Sequence, residues 1–212
     1  FSEVEPMMDI ALCATERTTF SIHVSGRLND AFEQSLLFYV INCIPDNLIY
    51  DDGQRSLPKV NTLNLLENRT KAEATFSSNI NTAIAFYQNA KHLKSEGNLA
   101  LACFMLQQAT ELSLRALITA FKGVDKKTHS ISELKKHVAM IAPQLFNIFP
   151  VDTEEDQLLL KLLEEVYIKS RYETGFIISE KQLDILMERV DHLLQLSKAI
   201  FEDNLRKLDI EE

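Results

Sequence analysis

The chain has 212 residues; 46% are hydrophobic, enough for one sizeable core, and 25% are charged, with no apolar run long enough to span a membrane. Its 31 acids outnumber 22 bases, a net charge of −9 that repels phosphate and disfavours a protein whose main task is coating nucleic acid; any phosphate contact is expected to be local. Cys13, Cys43 and Cys103 have neither metal-like spacing nor the even count of a disulfide framework, and acids stand where a signal sequence needs bases, so a reducing, cytoplasmic setting is expected.

Residues 1–56 mix short pieces. Thr18 to Val24 is β-branched and aromatic and reads as a strand, and Leu28 to Cys43 reads as a helix. Asp51-Asp52-Gly53 marks a turn. Residues 57–70, with Pro58 and several asparagines, read as a linker, and residues 71–212 as a helical bundle.

From Lys71 to Glu96, the apolar positions Phe76, Ile80, Ala83, Tyr87, Ala90 and Leu93 recur every three or four residues, the mark of an amphipathic helix; Gly97 suits its left-handed end. Asn98 is placed to cap a second helix, Leu99 to Lys122, closed by Gly123. A third runs from Ile131 to about Ile141 and stops before Pro143. A fourth starts in the acidic segment Asp152 to Asp156 and ends near Gly175. In the last, Leu183, Leu186, Val190, Leu193, Ser197, Ile200 and Asn204 form a regular seam, either core or dimer interface. The expected fold is mainly α: an up-down bundle of about five helices with a small N-terminal α+β appendage.

The second helix, Ala102-Cys-Phe-Met-Leu-Gln-Gln-Ala-Thr-Glu-Leu-Ser-Leu-Arg-Ala-Leu-Ile118, is followed by Gly123 and by Thr128-His129-Ser-Ile-Ser-Glu-Leu134. The fourth helix carries Tyr167-Ile-Lys-Ser-Arg171-Tyr172. This ordered set resembles the signature of the HEPN domain family, over about Lys71 to Arg206. Thr18 to Val24, Leu28 to Phe38 and Asn47 to Gly53 are similar to the end of the minimal nucleotidyltransferase domain that often precedes HEPN in one polypeptide. That resemblance implies a fragment without the enzyme's front half. The family's metal-binding Asp-x-Asp pair is absent from these residues, so nucleotidyl transfer is not expected.

HEPN ribonucleases cleave RNA without a metal. An Arg stabilises charge on the phosphate, and a His that follows after four to six intervening residues moves the proton. Here the resemblance places Arg171 at the Arg, but Phe176, Ile177 and Ile178 stand where the His belongs, and none transfers a proton. The resemblance thus implies a nucleotide- or RNA-binding module of a nucleotidyltransferase–HEPN system, not itself catalytic. An alternative is a metal-independent ribonuclease using Arg171 with Glu173 or Tyr172. A second is a dimerisation or interaction scaffold without a ligand.

The candidate ligand-binding residues are Arg171, Tyr172, Gln108, Glu111, Arg115 and His129. Arg171 reads as an anion binder with Tyr172 stacking on a base, or as a cation favoured by a helix C-terminus. Gln108, Glu111 and Arg115 share one stripe of the second helix, as a pocket wall or as a packing salt bridge. His129 reads as a loop-locking or capping residue or as a participant in catalysis. No metal and no cofactor are expected, because the histidines are scattered without metal-ligand spacing. The implied partners are a nucleotide or RNA, a nucleotidyltransferase in cis or as a toxin–antitoxin-like pair, and a second copy in a homodimer, with no membrane.

Overall fold

The structure, a computed structural model, describes residues 23–172 and 176–208, apart from the side chains at positions 25 and 170–172. The described residues form helices joined by turns and coil, and no strand occurs among them. Two short helices, α1 (Ser25–Glu33) and α2 (Leu37–Asn42), precede the bundle. The bundle comprises α3 (Thr62–Ser95), α4 (Leu99–Lys122), α5 (Ile131–Ala139), α6 (Glu154–Tyr172) and α7 (Glu180–Leu208).

Helix α4 is the centre of the molecule. It is apolar on nearly every side, from Ala102 and Cys103 to Ala120 and Phe121, and it touches α2, α3, α5, α6 and α7. A helix hydrophobic all round is one that neighbours enclose. Burial pushes the Cys103 thiol up to about 12, which makes it an inert core residue. The expected α3 stripe faces α4, with Phe76, Ile80, Ala83, Tyr87 and Ala90 all buried. From α7, Phe201 stacks on Phe76 with ring centroids 4.0 Å apart and meets Phe121 edge-on at 5.7 Å. Leu183, Leu186, Val190, Leu193, Ser197 and Ile200 are all buried within this one chain. The α7 seam is therefore core and not a free dimer face.

Four local expectations are corrected. The single helix over Leu28 to Cys43 is two helices. Ser35 takes a left-handed backbone, φ 50°, and its hydroxyl donates to the Phe32 carbonyl at 3.3 Å and to the Asn61 carbonyl at 3.0 Å. That tertiary partner compensates a turn that costs a β-carbon-bearing residue about 1 kcal/mol. Second, residues 62–70 are not linker but the first turns of α3, which Asn61 starts by accepting from the Leu63 and Asn64 amides at 3.1 and 3.2 Å. Third, Asn98 makes no side-chain cap on α4. Fourth, Ser130, not His129, caps α5: its hydroxyl oxygen accepts from the Glu133 amide at 3.2 Å. The strand expected over Thr18 to Val24 lies outside the described residues except for His23 and Val24, which enter α1 as coil.

The N-terminal helices pack on the bundle. Leu37 and Ile41 join its core, and the Asn64 and Asn68 amides donate to the carbonyls of Glu33 and Ser35 at 2.6 and 2.8 Å. Gly123, left-handed at φ 67°, ends α4 directly beneath Leu36.

Candidate functional site

Glu111 is the centre of the site. It lies on the face of α4 toward the loop before α5, and its side chain is only 5% exposed. A buried carboxylate requires partners, since leaving its charge uncompensated costs on the order of several kcal/mol. Glu111 has three. Its oxygens accept from Arg115 Nη1 at 2.9 Å, from Gln107 Nε2 at 3.2 Å and from His129 Nδ1 at 3.0 Å. Gln107 also donates to the His129 carbonyl at 3.4 Å, so both backbone and ring of His129 are tied to α4. Gln108 donates to the Gln107 carbonyl oxygen, which fixes the orientation of that amide.

Arg115 is held at both ends. Beyond Glu111, its Nε donates to Asp125 at 2.9 Å and its Nη2 completes a fork on the same carboxylate. The Asp125 hydrogen bond, ahead of the one to Glu111, raises its pKa above the usual arginine value, against the opposing effect of burial. The guanidinium is thus spent on two protein carboxylates, and its geometric role is to anchor the 123–130 loop to α4.

Helix α6 closes the site. Glu164 Oε1 accepts from the Ser130 hydroxyl at 3.1 Å and the Ser132 amide at 2.8 Å, which ties α6 to the start of α5. One turn on, the Tyr167 ring stacks on His129, centroids 4.3 Å apart and planes 18° from parallel. One further turn along the same helix is position 171. The side chains of Arg171 and Tyr172, and Glu173 entirely, lie outside the described residues.

The fold therefore brings Gln108, Glu111, Arg115 and His129 together. It adds four participants that are not among the expected site residues: Gln107, Asp125, Glu164 and Tyr167. Gln107 was legible, since it stands four residues before Glu111. Asp125 and Glu164 were not, because their roles depend on where a loop and a distant helix land.

His129 is half exposed while its Nδ1 is engaged. A carboxylate can only accept, so Nδ1 carries a proton, and no contact engages the other ring nitrogen among the described residues. Among the described residues no group of three His, Cys, Asp or Glu side chains is arranged to hold a metal ion. No described helix is long and apolar enough to cross a membrane.

Helix order, the central α4 and this α4–loop–α6 site can be set beside known proteins. The family model described as HEPN domain matches residues 77–200, more than half of the chain, from the middle of α3 to near the end of α7. No curated protein matches the chain. The match takes in every described residue of the Glu111 cluster together with position 171, and on it the chain belongs to the HEPN domain family.

Proposed function

We propose that this HEPN domain binds a nucleotide or an RNA end where α4, the 123–130 loop and α6 meet, and that it serves a nucleotidyltransferase in cis or in trans without cleaving the ligand itself. The observation that carries this reading is the stack of His129 on Tyr167 over a buried Glu111, one helical turn from Arg171. In the cluster two carboxylates already engage its one guanidinium, so it offers a phosphate no uncommitted cation. Glu111 and Asp125 offset Arg115, and the phosphate is assigned to Arg171. The nucleotidyltransferase partner and the pairing of two copies rest on the family resemblance, and exposed Leu158 and Ile168 on α6 offer apolar surface for the pairing.

The experiment is a pair of measurements on the whole chain. Arg171→Ala is expected to weaken binding of a nucleotide or short RNA by about 1.5–3 kcal/mol, the range for a charged hydrogen bond. RNA incubated with the protein is expected to stay intact. Absence of binding in both forms leaves the scaffold reading, which light scattering then tests as a homodimer.

The ribonuclease reading is favoured by one observation. His129 has one nitrogen oriented by a carboxylate and the other unoccupied, the arrangement a general base needs. Cleavage lost in both His129→Ala and Arg171→Ala would install it in place of the binding reading.

A further inference from the structure

A second group of side chains gathers where α4 ends, at the seam between the N-terminal helices and the bundle. Lys122, in the last turn of α4, lies with its ammonium 5.4 Å from the centre of the Phe38 ring and 3.9 Å from the Met140 sulfur. Neither neighbour is a counter-ion. Lys126 from the loop and His137 from α5 are within electrostatic reach of it, and Arg27 from α1 acts together with Lys122 on His23, which meets Tyr39. Lys122, Lys126 and Arg27 take part in no ion pair among the described residues. The loop's own acid, Asp125, is already committed to Arg115, and Glu133 reaches His137 at 3.8 Å.

In a chain of net charge −9 this is an unusual local excess of cations. The negative end of α4 accounts for one of them, Lys122. It does not account for cations from α1, the loop and α5 converging there. Their mutual repulsion weakens the hold of two of them on a proton. Burial and then Lys126 push Lys122 down to about 8, and burial, Lys126 and Lys122 lower His137. An anion entering the group would offset both the desolvation and the repulsion.

We propose that Arg27, Lys122, Lys126 and His137 form a phosphate subsite, separate from the Glu111 cluster. Two links join the two places. Lys122 follows Arg115 by two helical turns of α4, about 10 Å along its axis, and Lys126 stands three residues before His129. That spacing suits one strand whose terminal nucleotide occupies the Glu111 cleft while a later phosphate reaches the seam. In this form the inference rests on the function proposed above. A free polyphosphate is the other source of the same chemistry.

The test uses the full chain and three probes: AMP, inorganic pyrophosphate and a short single-stranded RNA. The variants are Lys122→Gln with Lys126→Gln, and Lys181→Gln with Lys198→Gln, both on α7, as a control that removes equal charge elsewhere. RNA is expected to bind more tightly than AMP. The seam variant is expected to weaken RNA binding about tenfold and to flatten its salt dependence by about 0.7 in log–log slope for each phosphate that is no longer neutralised. AMP binding should stay as it was, and the control should change neither. Pyrophosphate binding that the seam variant abolishes, with RNA no tighter than AMP, supports the subsite with a free polyphosphate as its ligand. AMP binding intact with RNA no tighter, no pyrophosphate bound, and the two double variants alike overturns the subsite and leaves the proposed function standing. No binding of any probe to the unaltered chain overturns both. Thermal melting by circular dichroism confirms that each variant is folded.

Discussion

The imidazole of His129 lies flat on the phenol of Tyr167 while its Nδ1 is bonded to Glu111, so one side chain joins the central helix to α6. The stack and the hydrogen bond make different demands. Tyr167→Leu removes the face but not the anchor, and is expected to cost about 0.5–1.5 kcal/mol of stability, the range for an aromatic pair. Glu111→Ala removes the anchor for Arg115, Gln107 and His129 at once. Its cost should be larger, about 2–4 kcal/mol, below the full value for a buried pair because His129 is half exposed. Urea melts of the two variants check the order. A Tyr167 variant less stable than the Glu111 variant would show that the stack holds the site.

Ser113 and Ser197 meet in the core at 3.0 Å, one from α4 and one from α7, both fully buried. Removing one hydroxyl leaves the other without this partner, so Ser113→Ala and Ser197→Ala are each expected to destabilise by about 1–2 kcal/mol. The double alanine variant removes both groups and should recover most of that loss. Additive losses in a double-mutant cycle would mean that each hydroxyl has another partner.

Gly123 ends α4 at φ 67°, and a β-carbon built there comes within 2.8 Å of Leu36 Cδ2. The atom it meets is the tip of a side chain that can turn away, so backbone strain is the larger part of the cost. Gly123→Ala is expected to lose about 1–2 kcal/mol. In a Leu36→Ala background the loss should shrink toward about 1 kcal/mol, the strain alone. Chemical melts of the four variants measure both contributions. An unchanged loss in that background would assign all of it to the backbone.

The lowered Lys122 pKa gives stability a definite pH dependence. The folded chain releases this proton near pH 8, where burial has moved it, and the unfolded chain near the ordinary lysine value of about 10.4. Between those values the unfolded state holds more protons, so Lys122 makes stability rise with pH across that window and contributes no slope below it. Lys122→Met is therefore expected to be the more stable form at pH 7, with an advantage of at most about 1–2 kcal/mol after allowance for screening of a partly exposed group. The advantage should fade as pH approaches 10. An advantage constant from pH 7 to 10 would show that apolar packing, not charge burial, sets the difference.

Local pattern alone located the five bundle helices, because apolar spacing of three and four records which face must leave water, and Gly97 and Gly123 mark where two of them stop. It also placed Glu111 and Arg115 on one stripe, since i and i+4 adjacency is a property of the helix itself. Tertiary structure decided what lies between helices. Ser35 breaks the first predicted helix because its hydroxyl finds the Asn61 carbonyl, 26 residues away in the chain. The α7 seam reads equally as core or dimer interface in one dimension, and only packing against α3 and α4 encloses it. Asp125, Glu164 and Tyr167 join the site for the same reason. Their chemistry is ordinary wherever a chain carries it, and it becomes a site only when the loop and α6 are folded against α4. Periodicity carries burial, which is local and repeats; pairings between distant polar groups have no period, and only three-dimensional placement selects them.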